Sequence, residues 1–151
     1  MKAQTRKMIG RRELVNFPDL GLRGIEAKID TGAYTSSIHC KEVKQFTKNN
    51  TDYVSFMLLD PDHPLFDNKM IEWPVYRKKM IKNSFGQAEE RYVIKTMLDF
   101  FDEKYEIEIS LADRSLMEYP LLLGRKVLKR KFVVDVSKLH YAPKRITWIK
   151  Q

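Results

Sequence analysis

The sequence of 151 residues has little cysteine, little glycine or proline, and no long apolar run. Its one cysteine, Cys40, has no partner for an internal disulfide, which excludes a disulfide-stabilised scaffold. Six glycines and six prolines are too few for a linker-rich or disordered chain. No apolar stretch approaches the ~20 residues of a membrane-spanning helix. We therefore expect a globular protein without a membrane span.

Several common chemistries also lack their sequence signatures. There is no Gly-rich Walker loop for nucleotide phosphates, no His-Glu-x-x-His pair for zinc, and no serine in a Gly-x-Ser-x-Gly elbow. The three histidines, His39, His63 and His140, have no ligand-like spacing. We predict no metal and no cofactor. His39 is expected to be a hydrogen-bonded strand residue, and Cys40 a small buried apolar group.

The sequence does contain an excess of basic residues over an otherwise average composition. Apolar residues make up 43% of the chain, and 28 Lys and Arg against 20 Asp and Glu give a net charge of +8. This length suits one domain, which we expect to span residues 1–151. The charge favours anionic partners, although the basic residues are spread along the chain. The single cysteine and the polar segment 1–8 favour a cytoplasmic location.

Apolar and polar residues alternate with period two along most of the chain, and turn residues recur about every ten positions. This pattern predicts an all-β barrel or sandwich of short strands. The predicted strands cover residues 9–15, 24–29, 35–40, 53–59, 73–81, 90–98, 105–111, 121–124 and 132–135. Residues 125–130 are predicted to form one short C-terminal helix. The polar stretch 82–87, which contains Gly86, predicts a hairpin.

An Asp-Thr-Gly-Ala loop, Asp30 to Ala33, separates two of the predicted strands. Glycine permits a tight reversal there, and Asp and Thr can bond their own backbone. Much later, the apolar run 121–123 is followed by Gly124 and Arg125. An aspartate before glycine most often bonds only nearby amides. The loop alone therefore leaves both a structural and a catalytic role open.

Together these motifs resemble those of retropepsin-like aspartic peptidases. The closer resemblance is to the bacterial and archaeal family of RimK-associated, "ATP-dependent zinc" proteases, and it covers nearly the whole chain. It is carried by Leu20-Gly21, by residues 27–33, by Thr35, Ser36 and His39, by residues 89–94, and by Leu122 to Arg125. The resemblance implies a closed acid-protease-like β-barrel in which the apolar-apolar-Gly strand supports the Asp-Thr-Gly loop.

The resemblance also assigns roles to individual residues. It implies Asp30, Thr31 and Gly32 as the catalytic loop, with Asp30 as the titrating group. The residues implied to support the loop are Leu123, Gly124 and Arg125, and those implied to bind substrate are Ala33, Arg77, Gly86 and Arg91. The hairpin at Gly86 is interpreted as a basic flap over the cleft. An ordinary solvated hairpin is the equal alternative.

Hydrolysis of this type needs two carboxylates that share one proton, one acting as base and the other as acid. The chain supplies one such loop, so a catalytic pair implies a two-fold homodimer that brings two copies of Asp30 together. Retropepsins commonly place an acidic residue after Asp-Thr-Gly-Ala, where it pairs with the arginine that follows the second motif. Here that position is Tyr34, which leaves Arg125 without that acidic partner.

The favoured function is an aspartic-type peptidase that acts on peptide, and the basic charge suits an acidic one. Relatives implied by the resemblance are associated with a ligase that adds glutamates to a ribosomal protein, which suggests glutamate-rich tails as substrate. One alternative is a non-catalytic module that binds peptide in the same cleft. The other is a basic β-barrel that binds nucleic acid, for which the candidate stacking residues are Tyr53, Phe56, Tyr76, Phe85 and Tyr92. Because aromatic residues in strands are more often core, nucleic acid is not the expected partner.

Overall fold

The computed structural model describes residues 6–82, 85–114 and 118–141, and most of them lie in β-strands. The strands in chain order are β1 Lys7–Ile9, β2 Arg12–Phe17, β3 Leu22–Ile29, β4 Ser36–Lys48, β5 Thr51–Leu58, β6 Met70–Pro74, β7 Arg77–Lys82, β8 Ala88–Phe100, β9 Glu103–Ala112, β10 Leu121–Leu123 and β11 Phe132–Val134. A 3₁₀ turn covers Pro18–Leu20, and the short helix α1 covers Arg125–Leu128. The all-β prediction and the short C-terminal helix are confirmed.

The main sheet closes on itself through the three-residue strand β10. From β10 the hydrogen-bonded order runs through β3, β2, β8, β9 and β4, and β4 pairs again with β10. β10 lies parallel to β3, with Leu123 opposite Ile29, and antiparallel to β4, with Leu122 opposite Ser37. The six strands therefore form a closed ring of hydrogen bonds. β5 and β6 extend the sheet beyond β4, and β7 extends it beyond β8.

Two predicted strands are interrupted. The stretch 73–81 is divided between β6 and β7, because the chain changes partners after Pro74, which has no backbone N–H to donate. The Val75 amide still donates to Asp52 on the β5 side, whereas the Tyr76 amide donates to Val93 of β8. The stretch 9–15 is likewise divided, with Gly10 at the break between β1 and β2.

The predicted hairpin is present. β7 and β8 pair antiparallel from Arg77 opposite Val93 to Lys82 opposite Ala88. The backbone of Gly86 has a φ of +78°, which glycine adopts without steric cost. Residues 83 and 84 of the predicted connection lie outside the described residues. The pairing of β7 with β8 ends at Val93, and from there β8 pairs with β9 in the body of the sheet.

The hydrophobic core lies inside the ring and consists mainly of the inward-facing apolar side chains of its strands. In β9, Ile107 and Ile109 are buried while Glu106 is exposed, as period-two alternation requires. One carboxylate, Glu13, is fully buried in β2 and accepts amide hydrogens from Gly10 at 2.6 Å and Tyr141 at 3.0 Å. These bonds fasten the segment after β11 against the start of the chain.

Cys40 is buried among apolar side chains, as predicted, and its burial raises the pKa of the thiol to about 12. A thiol of that pKa remains protonated near neutral pH. In the part of the chain that the structure describes, no helix is long and apolar enough to cross a membrane.

Candidate active site

The Asp-Thr-Gly loop begins where β3 ends, and β10 supports it from behind. The Asp30 amide donates to the carbonyl oxygen of Leu123 at 2.9 Å. The Asp30 side chain turns back onto its own loop, where Oδ1 accepts the Gly32 amide hydrogen at 2.9 Å. Asp30 is partly buried, whereas Thr31 and Gly32 are exposed. The loop therefore presents its carboxylate at the edge of the core and its tip to the surface.

Gly124 lies where the loop and the end of β10 are closest. A Cβ on Gly124 would meet three backbone carbonyl oxygens of the loop at 2.6 to 2.8 Å, those of Thr35, Ala33 and Tyr34. The Gly124 amide donates to Ser36 Oγ at 3.0 Å, and the Arg125 amide donates to the Ala33 carbonyl oxygen at 2.7 Å. Only glycine permits this approach, because any side chain would push the backbones apart. The predicted contact between the two motifs is therefore present.

Arg125 contacts the loop in two ways. Its Nη1 donates to the Thr31 carbonyl oxygen at 3.1 Å, and its guanidinium carbon lies 5.8 Å from the centre of the Tyr34 ring. Tyr34 is 54% exposed. A cation–π contact thus occupies the position at which retropepsins commonly have an ion pair.

The base of the hairpin borders the segment that leaves the loop. A small cleft is lined by Thr35 and Ser36 on one side and by Arg77 and Lys79 of β7 on the other. Arg77 does not present a free charge there, because its Nη2 lies 3.0 Å from Glu108 Oε1. Burial acts to raise the pKa of Glu108, but the bonded ammonium of Lys126 and the charge of Arg77 lower it overall. Gly86 lies at the far end of the hairpin.

The charge of Arg114 interacts with the charges of both Asp30 and Arg91. Burial lowers the pKa of the Arg114 guanidinium, and the charge of Arg91 lowers it further, while the charge of Asp30 raises it. Arg91 also lies 3.6 Å from Glu89. Sequence reasoning identified Arg91 but missed Arg114, because Arg114 belongs to no recognisable local motif and is brought to this face only by the fold.

His39 is fully buried and is held on both sides of its ring. Nδ1 accepts the backbone amide hydrogen of Arg114 at 2.7 Å, and Nε2 lies 3.0 Å from Asp60 Oδ1, at an angle outside that of a well-aligned hydrogen bond. Because Nδ1 accepts, the neutral ring carries its hydrogen on Nε2 and directs it toward Asp60. Lys41 Nζ contacts the same carboxylate oxygen at 2.8 Å. The bond from Lys41 and the contact with His39 lower the pKa of Asp60. His39 is the hydrogen-bonded strand residue that was predicted.

The remaining candidates for metal and nucleic-acid sites have ordinary contacts. His63 Nδ1 accepts the Leu65 amide hydrogen, and His140 Nε2 lies 2.5 Å from Glu26 Oε2. Across residues 6–82, 85–114 and 118–141, no group of three or more His, Cys, Asp or Glu side chains could hold a metal ion. Of the proposed stacking residues, Phe56 is a fully buried core residue, whereas Tyr76 and Phe85 are exposed.

Comparison with known proteins agrees with this architecture. The crystal structure of a Legionella pneumophila protein of unknown function superposes with a TM-score of 0.74 at 24% identity, over 91% of this chain and 99% of that one, which shows the fold. Proteins of Desulfotalea psychrophila and Shewanella pealeana, each named a probable alpha-L-glutamate ligase, are 37% identical over 134 residues. These matches cover 86% of this chain and 28% of each relative, so the chain spans little more than a quarter of their length.

A family model matches most of the chain and identifies its family. The model described as RimB-like, retropepsin-like aspartic endopeptidase RimB, matches residues 8–145. That range includes the Asp30 loop, β10 and the hairpin between them. The chain therefore belongs to the RimB-like family of retropepsin-like aspartic endopeptidases.

Proposed function

We propose that this chain is an aspartic-type peptidase that hydrolyses peptide bonds in glutamate-rich segments, with Asp30 as its catalytic carboxylate. The observation that carries the proposal is the contact between the two motifs. The Leu123 carbonyl of β10 accepts the Asp30 amide hydrogen, and Gly124 packs against the Ala33 carbonyl of the loop. These contacts hold the carboxylate on a rigid part of the sheet. Membership of a family of aspartic endopeptidases supports the same chemistry.

The reaction requires a second carboxylate, and we propose that a second copy of the chain supplies it. Two Asp30 side chains related by a two-fold axis would share one proton, so that one activates water and the other protonates the scissile carbonyl oxygen. The tip of the loop, formed by Thr31, Gly32 and Tyr34, supports such a pairing because these residues are exposed to solvent. Thr31 and Gly32 would then face their symmetry mates.

The proposed substrate rests on charge and on the relatives. The chain carries a net charge of +8, and the charge of Arg114 interacts with those of Arg91 and Asp30. Such a surface favours carboxylate-rich peptide over neutral peptide. The relatives named as probable alpha-L-glutamate ligases contain a segment similar to this chain, which associates the fold with glutamate chemistry.

The decisive experiment compares the parent chain with Asp30→Asn on a glutamate-rich peptide. The amide keeps the shape of the side chain but cannot titrate, so cleavage should fall at least ~100-fold, the usual scale of general acid–base catalysis. Asp19→Asn is the control, since Asp19 is exposed in the 3₁₀ turn before β3, at the opposite end of that strand from Asp30. Equal cleavage rates for the parent and Asp30→Asn would refute the proposal.

A non-catalytic peptide-binding module is the second candidate. It is favoured by one specific observation, the replacement of the retropepsin ion pair by the contact between Arg125 and Tyr34, because that pair strengthens the dimer in the families that have it. Sedimentation velocity separates the two candidates. A chain that stays monomeric at all concentrations and binds glutamate-rich peptide without cleaving it is a binding module.

A further inference from the structure

We infer that Arg114 is a specificity-determining residue, which binds a carboxylate of the substrate beside Asp30 and so selects acidic over neutral peptide. The inference rests on the proposed function and deepens it, because it names the side chain that distinguishes glutamate from its neutral isostere. It depends on how Arg114 is held, on where it lies, and on the charges around it.

Arg114 is held at three points along its length. Its amide donates to His39 Nδ1 at 2.7 Å, its Nε donates to the Tyr119 carbonyl oxygen at 3.2 Å, and its Nη1 donates to Ser37 Oγ at 3.2 Å. His39 is itself fixed, because it is fully buried and its Nε2 lies against Asp60. A long side chain fixed in this way loses little rotamer freedom when a ligand binds.

The guanidinium contacts β4 close to the point where that strand leaves the catalytic loop. Ser37, which it contacts, is the second residue of β4, the strand that leaves the loop. Across β10, Leu122 is paired with both Ser37 and Lys28, and Lys28 lies two residues before Asp30. Arg114 therefore contacts one neighbour of β10, and Asp30 directly follows the other neighbour. Their charges interact, since Asp30 favours the charged form of Arg114.

Arg114 lines a cavity that also contains the carboxylates of Asp60, Asp62 and Glu118. Within the described residues, Asp60 forms ion pairs with His39 and Lys41, and none of the ion pairs at 4.0 Å or less includes Arg114. Arg114 is partly buried, and both that burial and the charge of Arg91 disfavour its charged form. A guanidinium remains charged in proteins, so a ligand carboxylate would relieve both effects. The planar fork of arginine matches a carboxylate with two parallel N–H···O bonds, which an amide cannot accept equally.

The test measures binding in the Asp30→Asn background, so that its readout does not require cleavage. Two peptides are used, one rich in glutamate and a matched one in which glutamine replaces every glutamate. Each is titrated by fluorescence anisotropy against Asp30→Asn alone and against Asp30→Asn combined with Arg114→Gln, Arg114→Lys or Arg23→Gln. Arg23 is the matched control, because it is exposed near the start of β3, at the end of that strand away from Asp30.

The expected result is a loss of discrimination in one variant only. Arg114→Gln should weaken binding of the glutamate peptide by ~10-fold and change binding of the glutamine peptide less than ~2-fold, the size of one charge-assisted contact. Arg114→Lys keeps the charge but loses the fork, so it should give an intermediate ratio. Arg23→Gln should leave the ratio unchanged. The bond to His39 uses the Arg114 backbone and persists in every variant, so circular dichroism should show folded protein.

Two results overturn the inference. One is an equal loss of affinity for both peptides in Arg114→Gln, which would indicate a general structural role. The other is an unchanged ratio in both Arg114 variants. Failure of the proposed function gives a different result, namely absence of cleavage by the parent chain while the anisotropy ratios still report on Arg114. If Arg114→Gln does not fold, the ratio for Arg114→Lys decides.

Discussion

The guanidinium of Arg125 lies over the ring of Tyr34, 5.8 Å from its centre, and also bonds the carbonyl oxygen of Thr31. One side chain thus joins the start of α1 to Thr31 and Tyr34 of the Asp-Thr-Gly-Ala-Tyr segment. Aspartate at the Tyr34 position would form an ion pair with Arg125. Tyrosine instead offers a polarisable face that does not lose its partner when the pH falls below the carboxylate range.

This contact predicts a measurable coupling between Arg125 and Tyr34. Arg125→Gln should lower the free energy of unfolding by about 0.5 kcal/mol, because it removes a charged donor from a loop carbonyl at an exposed site. A double-mutant cycle with Tyr34→Leu, measured by urea unfolding, should give a coupling energy of about 0.5 kcal/mol. A coupling energy of zero would mean that the two side chains are neighbours without interacting.

Gly124→Ala should damage the candidate site more than its small size suggests. The new methyl group would meet three carbonyl oxygens at 2.6 to 2.8 Å, so the loop that carries Asp30 must move. We expect a loss of about 2 kcal/mol in stability, typical of overpacking, together with a loss of cleavage. Gly32→Ala is the comparison, since its methyl group would meet only Asp30 Oδ1, at 3.2 Å. Urea unfolding that ranks Gly32→Ala as the more damaging change would contradict the geometry.

The lowered pKa of Asp60 predicts that the stability of the fold depends on pH. Its bond from Lys41 and its contact with His39 place the folded-state pKa below the ordinary value of 3.8. A carboxyl group with a lowered pKa stabilises the fold above its unfolded-state pKa and loses that contribution as the pH falls through the folded-state pKa. The difference in melting temperature between the parent and Asp60→Asn should therefore be largest above about pH 4 and shrink below it.

The neighbouring Asp62 provides the control for this experiment. Asp62 is exposed, and Asp62→Asn should leave the melting temperature close to that of the parent across the same pH range. If Asp60→Asn differs from the parent by the same amount at pH 3 and pH 7, ionisation of Asp60 is not what stabilises this corner of the fold.

A dimeric active site predicts inhibition by mixing. When a fixed amount of parent chain is allowed to exchange subunits with an equal amount of Asp30→Asn, random pairing leaves about half as many parent pairs, so the cleavage rate should fall to about half. An equal amount of Asp19→Asn, which keeps its Asp30, should instead about double the rate. A rate unaffected by Asp30→Asn would point to a mechanism within one chain.

The sequence pattern predicted the parts of this fold whose signals are local. The alternation in β9 follows the buried positions Ile107 and Ile109, and the turn at Gly86 gives a hairpin of the predicted kind. The support of Asp30 by Leu123 was implied by the resemblance, and the backbone bond between them is present. These features depend on neighbours in sequence or on a short motif, and both are visible before the fold is known.

Features that depend on distant parts of the chain could not be predicted in the same way. β4 extends to Lys48, beyond the predicted end at residue 40, because its second half pairs with β5 while its side chains remain largely exposed and polar. Arg114 is positioned by His39, Ser37 and Tyr119, and the parallel pairing of β4 with the end of β9 brings His39 and Ser37 to it. The contact of Arg125 with Tyr34 likewise follows from the packing together of two motifs that are distant in sequence.

The position of β10 in the ring also determines when the site can form during synthesis. Leu121–Leu123 pairs with β3 and β4, strands made much earlier, and no other described strand closes the gap between them. Before this segment is available, the sheet lacks the strand that lies behind the aspartate loop. Assembly of the candidate catalytic loop is thereby tied to near-completion of the domain, so a prematurely terminated product would lack it.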